Sequence, residues 1–491
     1  MIKFYEIKVK ECLLYCDISD KLEIINLSRK RGHDNMRNEK LDERMLELKE
    51  DIFASIRESV AIESVKSEAK EGAPYGEGPK AALDHLLALG EKLGFRTGNV
   101  DNRVGWIEYG EGEEMVGVLG HVDIVPLGEG WDYDPLGCEV HDGKMYGRGV
   151  LDDKGPTIGA IYAMKAIKDL GLPIDRRIRV MIGTDEENGS SCVQHYIKVG
   201  GEKPTIGFTP DAEYPVIFCE KGQIFWEVTK KVENPSTVKV ISITGGTAKN
   251  VVTPKCTMVV EGDFDFPATD HISVTKEDGK TVIVSSGRGA HGSLPHLGQN
   301  AAIQLFTALK ENGIDLGGDL QKMIDFVLDK INTETKGETL GVYANDEETG
   351  ETSVCFGVVN CTEDKLFFTL DVRYPNNADN VKITETIKEK AKEYGLDAEV
   401  EQTGKLLYVS KESELVQKLM GVYREYTGST EEPIAIGGGT YAKAFDNMVA
   451  FGPIFPGDDD VIHQPNEYAE IDKLMKSFQI VATAMYELAQ R

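Results

Sequence analysis

From Met36 to Val60, apolar residues return at helical spacing in MRNEKLDERMLELKEDIFASIRESV. The same spacing recurs in KAALDHLLALGEKLG, which Gly94 closes as a C-cap. Short apolar runs then alternate with amphipathic stretches. MVGVLG (115–120) reads as a buried strand running into His121. LDDKGP opens a helix with Pro156 near its first turn, Ile158, Ile161, Met164 and Ile167 on one face, and Gly171 as its stop. RIRVMIG (177–183) leads into Thr184-Asp185-Glu186-Glu187, and TIGF (205–208) into Pro210-Asp211. Strand and helix in alternation predict an α/β layer with a mostly parallel central sheet.

Beyond about Gly222 the texture changes. FWEVTKKVE, TVKVISITGG, KTVIVSSGRGA and KLFFTLDVRYP alternate apolar and polar residues as half-exposed antiparallel strands do, with helical stretches at 300–312 and 380–394 among them. This pattern predicts an α+β domain inserted over 223–406. Near Leu407 the chain is expected to return, through ESELVQKLMGVYREYTG, the loop IGGGTYAKAF and a final helix from about Ile471. The expected organisation is an N-terminal extension over 1–35, a catalytic domain over 36–222 and 407–491, and the insert. Residues before Met36 do not fit the plan of the rest and read as a poorly ordered tail or an artefact of start-site choice.

Composition narrows the partners. With 491 residues the chain exceeds one ordinary core. Its 55 basic and 83 acidic residues give a net charge of −28 with no Lys/Arg-rich run, which argues against nucleic acid or an anionic membrane. No apolar run reaches transmembrane length. The opening MIKFYEIKVKECLLYCDISDK breaks its apolar residues with Lys and Glu, so no secretory segment is expected. Eight cysteines, none in a C-x-x-C pair, read as reduced thiols of a cytoplasmic protein.

Open α/β sheets gather ligands at the carboxyl ends of their strands. His121, Glu186, Glu187 and Asp211 all follow such ends. Singly, each candidate has a plain structural reading. His121 could be a packed histidine, Asp123 a turn former before Pro126, and Asp152 or Asp153 the N-cap of the next helix. The glutamates suit a first helical turn, Asp211 a turn, and His463 of DDDVIHQPNEY a surface loop. Jointly they are harder to dismiss, because Asp185-Glu186-Glu187 crowds three carboxyls at the end of a buried strand with no cation. His121, His463, Asp152, Glu187 and Asp211 supply the ligand count of a two-metal hydrolytic site and leave Glu186 to handle protons. Charge agrees: two Zn²⁺ are balanced by Asp152, Glu187, Asp211 and one hydroxide, with both histidines neutral.

Six motifs, GHVDIVP, GRGVLDDKG, GTDEENGS, PDAEYP, GAHGS and IHQPNEY, follow one another between about residue 40 and the end. Through them the chain resembles the di-zinc metallopeptidase family of aminoacylases, glutamate carboxypeptidases, succinyl-diaminopimelate desuccinylases and carnosinase-like dipeptidases. PYGEGP, GEGWDYDPLG, RGVLDDKGP, TPDAEYPVIFCEKG and IGGGTYAKAF are most similar to the bacterial Xaa-His (beta-alanyl) branch. The resemblance implies a zinc-exopeptidase-like catalytic domain with an inserted lid. It implies His121 and Asp211 on one zinc, Glu187 and His463 on the other, and Asp152 bridging them, with a cis peptide after Asp152. Asp123 would orient His121, and Glu186 would act as general base and then acid. It further implies that His291 of the lid steadies the oxyanion, and that Asn250 and Arg373 bind substrate. Composition alone makes Arg373 a strand-edge surface residue; the resemblance makes it a fork for a terminal carboxylate. Gly437-Gly438-Gly439 lacks phosphate-loop spacing, so Gly438 reads as a point of backbone approach to substrate.

The expectation is a cytoplasmic, metal-dependent dipeptidase acting on unblocked dipeptides of the Xaa-His or beta-alanyl type. It would hold two Zn²⁺, with Mn²⁺ or Co²⁺ also suited to such donors, take a small peptide as its partner, and work as a monomer with a closing lid. Two rivals stand: an N-acyl-amino-acid deacylase or desuccinylase of the same family, and a non-catalytic metal-dependent binding protein. Glu186 speaks against the second, which has no need of an unliganded base.

Overall fold

The computed structural model describes residues 36–491, so the expected extension over 1–35 lies outside the described residues. The chain forms two compact units. The first runs to Pro215 and resumes over Glu412–Glu432 and Phe451–Arg491; the second takes Val216–Lys411 and Pro433–Ala450.

In the first unit, strands β1 (Arg96–Val100), β2 (Val104–Tyr109), β3 (Met115–His121), β4 (Arg177–Gly183) and β5 (Ile206–Thr209) lie in the order β1-β2-β4-β3-β5. The predicted α/β fold is present. Its sheet is mixed, with β4, β3 and β5 parallel at the centre and β1 and β2 antiparallel. Only residues 101–103 join β1 to β2, with Asp101 and Asn102 at positive φ, and so short a link closes a hairpin and no crossover. Every residue of β3 and β4 is buried, including Arg177 and Arg179 of β4, which pair with Glu108. The helix Lys154–Asp169 packs on β3 and on the last helix, Ile471–Ala489. Gly159 permits that crossing, since a Cβ there would sit 2.2 Å from the Phe478 ring.

The parallel register positions the candidate chemistry. His121 lies level with Gly183 and Val118 with Phe208, so the chain leaves β3, β4 and β5 along one edge. The turns beyond those ends carry Asp123, Asp185 to Glu187, and Asp211.

In the second unit, strands β6 (Gly222–Lys231), β7 (Val240–Gly245), β8 (Lys255–Glu261), β9 (Ile272–Glu277), β10 (Lys280–Ser286), β11 (Ser353–Thr362), β12 (Lys365–Tyr374) and β13 (Asp397–Gly404) form an antiparallel sheet. Their order is β9-β10-β8-β7-β11-β12-β6-β13. Ile224, Trp226 and Val228 alternate inward with Leu366, Phe368, Leu370 and Val372, against the helices Ala301–Glu311, Gly318–Phe326 and Asn380–Glu393. Residues 433–450 also group here, whereas the pattern of the sequence returns everything beyond Leu407 to the first unit. The cause is strand pairing: Ile434–Ile436 and Met448–Ala450 both pair with Ile217–Glu220.

Asp319 ties this unit's helical layer to its sheet. Its buried carboxylate accepts the amides of Glu233 and Asn234, each at 2.9 Å, and faces Lys322 at 3.1 Å. Burial opposes ionisation, but these bonds hold the carboxyl well below its usual range. Asp319→Ala is expected to cost about 1–3 kcal/mol at pH 7 by orphaning the two amides. Because the native value is depressed, the wild-type advantage is full above about pH 4 and fades as acid approaches that value. Urea titrations of both proteins from pH 7 to 3 check the difference and its direction. Among the described residues, no helix is long and apolar enough to cross a membrane.

Candidate metal centre

Five side chains from separate turns of the first unit converge. His121 Nε2 lies 3.1 Å from Asp152 Oδ1 and 3.4 Å from Asp211 Oδ2. His463 Nε2 lies 2.9 Å from Asp152 Oδ2 and 3.1 Å from Glu187. Asp152 thus turns one oxygen toward each imidazole. Glu186 is close by, its carboxylate within 4.8 Å of donor atoms of His121 and Asp211.

The backbone around these groups is held in detail. His121 Nδ1 donates to the Asp123 carbonyl at 3.0 Å, which leaves Nε2 facing the carboxylates. The Asp123 carboxylate is farther from that ring, at 3.5 Å, and instead accepts the amides of Glu186 and Glu187 at 3.0 and 3.1 Å. Asp123 therefore reaches His121 mainly through its main chain and uses its side chain on the turn after β4. The peptide bond between Asp152 and Asp153 is cis. Asp153 does not cap the following helix with its side chain. One of its oxygens accepts the His121 amide at 3.1 Å and the Thr157 hydroxyl at 2.8 Å. A side chain at Gly120 would strike both Thr157 and Asp153.

Three further groups lay beyond the sequence candidates. Asp185 is fully buried; Lys66 lies 2.7 Å from it, and Ser191 donates to it at 2.5 Å. Ser191 in turn meets Tyr75 of PYGEGP at 2.8 Å, and Arg103 donates to that phenol at 2.6 Å. Lys154 is wholly buried and donates to the carbonyls of Ser59 and Ile62, while burial brings its ammonium down to about 7. Glu467 accepts hydrogen bonds from Arg148 and from the loop that carries Asp152. In the sequence it lies within IHQPNEY, an acid in a turn-forming Pro-Asn-Glu segment four residues after His463.

Electrostatically the cluster sets four carboxyls around two imidazoles. Burial pushes the Glu186 carboxyl well above its ordinary value, helped by the charges of Asp211 and Glu187. Burial raises Glu187 and Asp211 as well. Asp152, despite its burial, is held low by His121 and His463. Hydrogen bonds donated to Asp152 and Glu187 push the His463 imidazole up to about 10; His121 also lies well above its ordinary value, because Asp123, Asp152 and Asp211 outweigh its burial. Two N/O donor groups that share one carboxylate and gather carboxyls at buried positions fit divalent cations.

The second unit holds the remaining candidates. Asn250 and His291 lie on facing segments, with Val251 bridged to His291 and the Gly292 amide donating to the Asn250 carbonyl at 2.7 Å. Arg373 is buried at the end of β12, where sequence composition alone suggests a surface position. Nε and Nη2 donate to Asp371 at 3.1 and 2.8 Å, and Nη1 donates to the Gly437 carbonyl at 2.6 Å. Gly438, next in that loop, accepts from Lys443 at 3.3 Å. Burial and the Arg373 charge lower the His291 imidazole.

An α/β sheet with cation-seeking donors at its strand ends defines the class, a metal-dependent hydrolase. A family model described as Peptidase family M20/M25/M40 matches residues 117–487, and the chain belongs to this family of peptide-bond hydrolases. A Bacillus subtilis protein named "Putative dipeptidase YtjP" is 39% identical over 460 residues, covering 90% of this chain and 98% of that one. Human carnosine dipeptidase 1 is similar in fold, with TM-score 0.57 and 16% identity over 92% of this chain and 99% of that one. Aminoacylhistidine dipeptidase from Vibrio alginolyticus is similar too, with TM-score 0.54 and 15% identity over 88% and 96%.

Proposed function

We propose that the chain is a two-zinc dipeptidase that hydrolyses unblocked dipeptides, with Xaa-His and beta-alanyl substrates preferred, as a cytoplasmic monomer. The observation that carries this is the carboxylate of Asp152, which offers a separate oxygen to each of two imidazoles. His121 and Asp211 would hold one ion, Glu187 and His463 the other, and Asp152 both. Ions bound there supply Lewis acidity for the scissile carbonyl and an acidified water near neutral pH. Glu186, close to those donors and assigned to neither ion, takes the proton of the attacking water and delivers it to the leaving amine. The resemblance assigns His291 to the oxyanion, and Asn250, Arg373 and Gly438 to the substrate. Arg373 uses three of its five N–H groups within the protein, which leaves two for a carboxylate. The dipeptidase name of the Bacillus subtilis relative supports the substrate class. The six cysteines among the described residues, all buried and outside any disulfide, suit a reducing compartment.

Metal analysis and a substrate panel test the reading together. Two Zn²⁺ per chain are expected, with beta-alanyl-His and other Xaa-His dipeptides cleaved faster than N-acetyl or N-succinyl amino acids. Faster turnover of the blocked substrates would move the assignment to a deacylase, and ions bound without turnover of either would leave a binding protein.

A further inference from the structure

Three segments of the family-like motifs have no task in the donor set: GEGWDYDP, the Gly147–Val150 stretch, and PNEY. They meet at Asn466 and Glu467. Asn466 Oδ1 accepts the Asp132 amide at 2.7 Å, and its Nδ2 donates to the Asp132 carboxylate at 2.9 Å. Glu467 is completely buried. One of its oxygens accepts the amides of Gly149, Leu151 and Asp152 at 3.0, 3.1 and 3.3 Å; the other accepts Arg148 Nη1 at 2.7 Å. Its carbonyl accepts the Gly147 amide at 3.0 Å. Arg148 is itself buried and lies over the Trp131 ring, 5.2 Å from its centre.

The loop from Gly147 to Asp152 belongs to no strand or helix, so its amides need partners of another kind. Three of them converge on a single oxygen, a small nest of N–H groups that favours an anion. A buried carboxylate balanced by a buried guanidinium answers that need and cannot swing away without leaving charge and amides unpaired. On the other side, Glu467 follows His463 by four residues, and both His463 and Asn466 turn the chain at φ 62°, the left-handed region that His and Asn tolerate better than most side chains. The segment that carries His463 is therefore pinned at 466–467, and the same carboxylate reaches the main chain of Asp152.

We propose that Glu467 is a positioning residue, a clasp that sets the main chain of Asp152 against the segment bearing His463 so that the shared carboxylate meets both imidazoles. The role rests on the two-ion reading above. It predicts a change in how ions are held, beyond any change in how firmly the chain folds.

Co²⁺ titration of the full-length protein, followed by visible absorption, separates these effects. Glu467→Gln keeps size and one acceptor oxygen but sets an amide group against Arg148. Its Co²⁺ affinity is expected to fall by about 10–100-fold, the usual range for losing a ligand's supporting partner, with altered ligand-field bands and a reduced kcat at unchanged KM. Wild-type affinity and spectrum in this variant, whatever its melting temperature, would overturn the proposal. Should Glu467→Gln fail to fold, Arg148→Gln, which leaves the three amide bonds and removes the counter-charge, carries the same expectation and the same refutation. A wild-type protein that binds one ion would sink the two-ion reading alone, and the Glu467 comparison is then made on that ion.

Discussion

Glu186→Gln is expected to lower kcat for dipeptide hydrolysis by about 10²–10⁴-fold, the range associated with losing a general acid–base group. Ion content and KM should stay close to wild type. The substitution is nearly isosteric and leaves both imidazoles with their carboxylate neighbours. The main-chain anchor of residue 186 on Asp123 is also untouched. What disappears is a carboxyl that can take a proton and give it back. Its environment suits that task, since burial and the neighbouring negative charges make Glu186 a better proton acceptor than an exposed glutamate. Steady-state kinetics with metal analysis on the same preparations read both halves. A kcat within threefold of wild type with ions bound would place the base elsewhere, and a loss of ions with the activity would make Glu186 a ligand.

The strand ends were legible because they follow short, largely apolar runs: MVGVLG before His121, RIRVMIG, with its two arginines, before the three acids, and TIGF before Asp211 lead into or form strands whose residues are all buried. The hairpin of β1 and β2 was not, since RTGNV is half exposed and VGWIEY shows no clean alternation. The side-chain role of Asp123 was hidden for a different reason. Its partners are the amides of Glu186 and Glu187, and they come within reach only through the pairing of β3 with β4, a long-range fact. Asp153 illustrates how local propensity is overridden, because the His121 amide and Thr157 claim the carboxylate that helix rules assign to a cap. Arg373 shares its alternation with Asp371, so the strand pattern alone places both on the solvent face. Both are buried, Asp371 beside Gln223 of β6 and Arg373 against the Gly437 carbonyl, a contact from far along the chain.

Asp152→Asn is expected to reduce ion binding from two per chain to one or none at concentrations that saturate wild type. Activity should fall by at least the about 10²–10³-fold that removal of one preorganised electrostatic group costs. The amide retains an oxygen for one imidazole but presents its NH₂ to the other, so one of the two donor groups loses its anion. Proton release supplies an independent readout. Asp152 and Glu187 hold the His463 imidazole at about 10, and the surrounding carboxylates hold His121 above its ordinary value, so protons on the imidazoles compete with an arriving ion. A ligating imidazole must be neutral, so loading wild type expels those protons and apparent affinity rises with pH. Removing the Asp152 charge lowers both imidazoles, so fewer protons leave per ion at pH 7 and the pH dependence flattens. Calorimetry in buffers of different ionisation enthalpy measures the protons released directly. If Asp152→Asn binds two ions with wild-type affinity and wild-type proton release, the carboxylate is not shared, and the two histidines belong to separate sites.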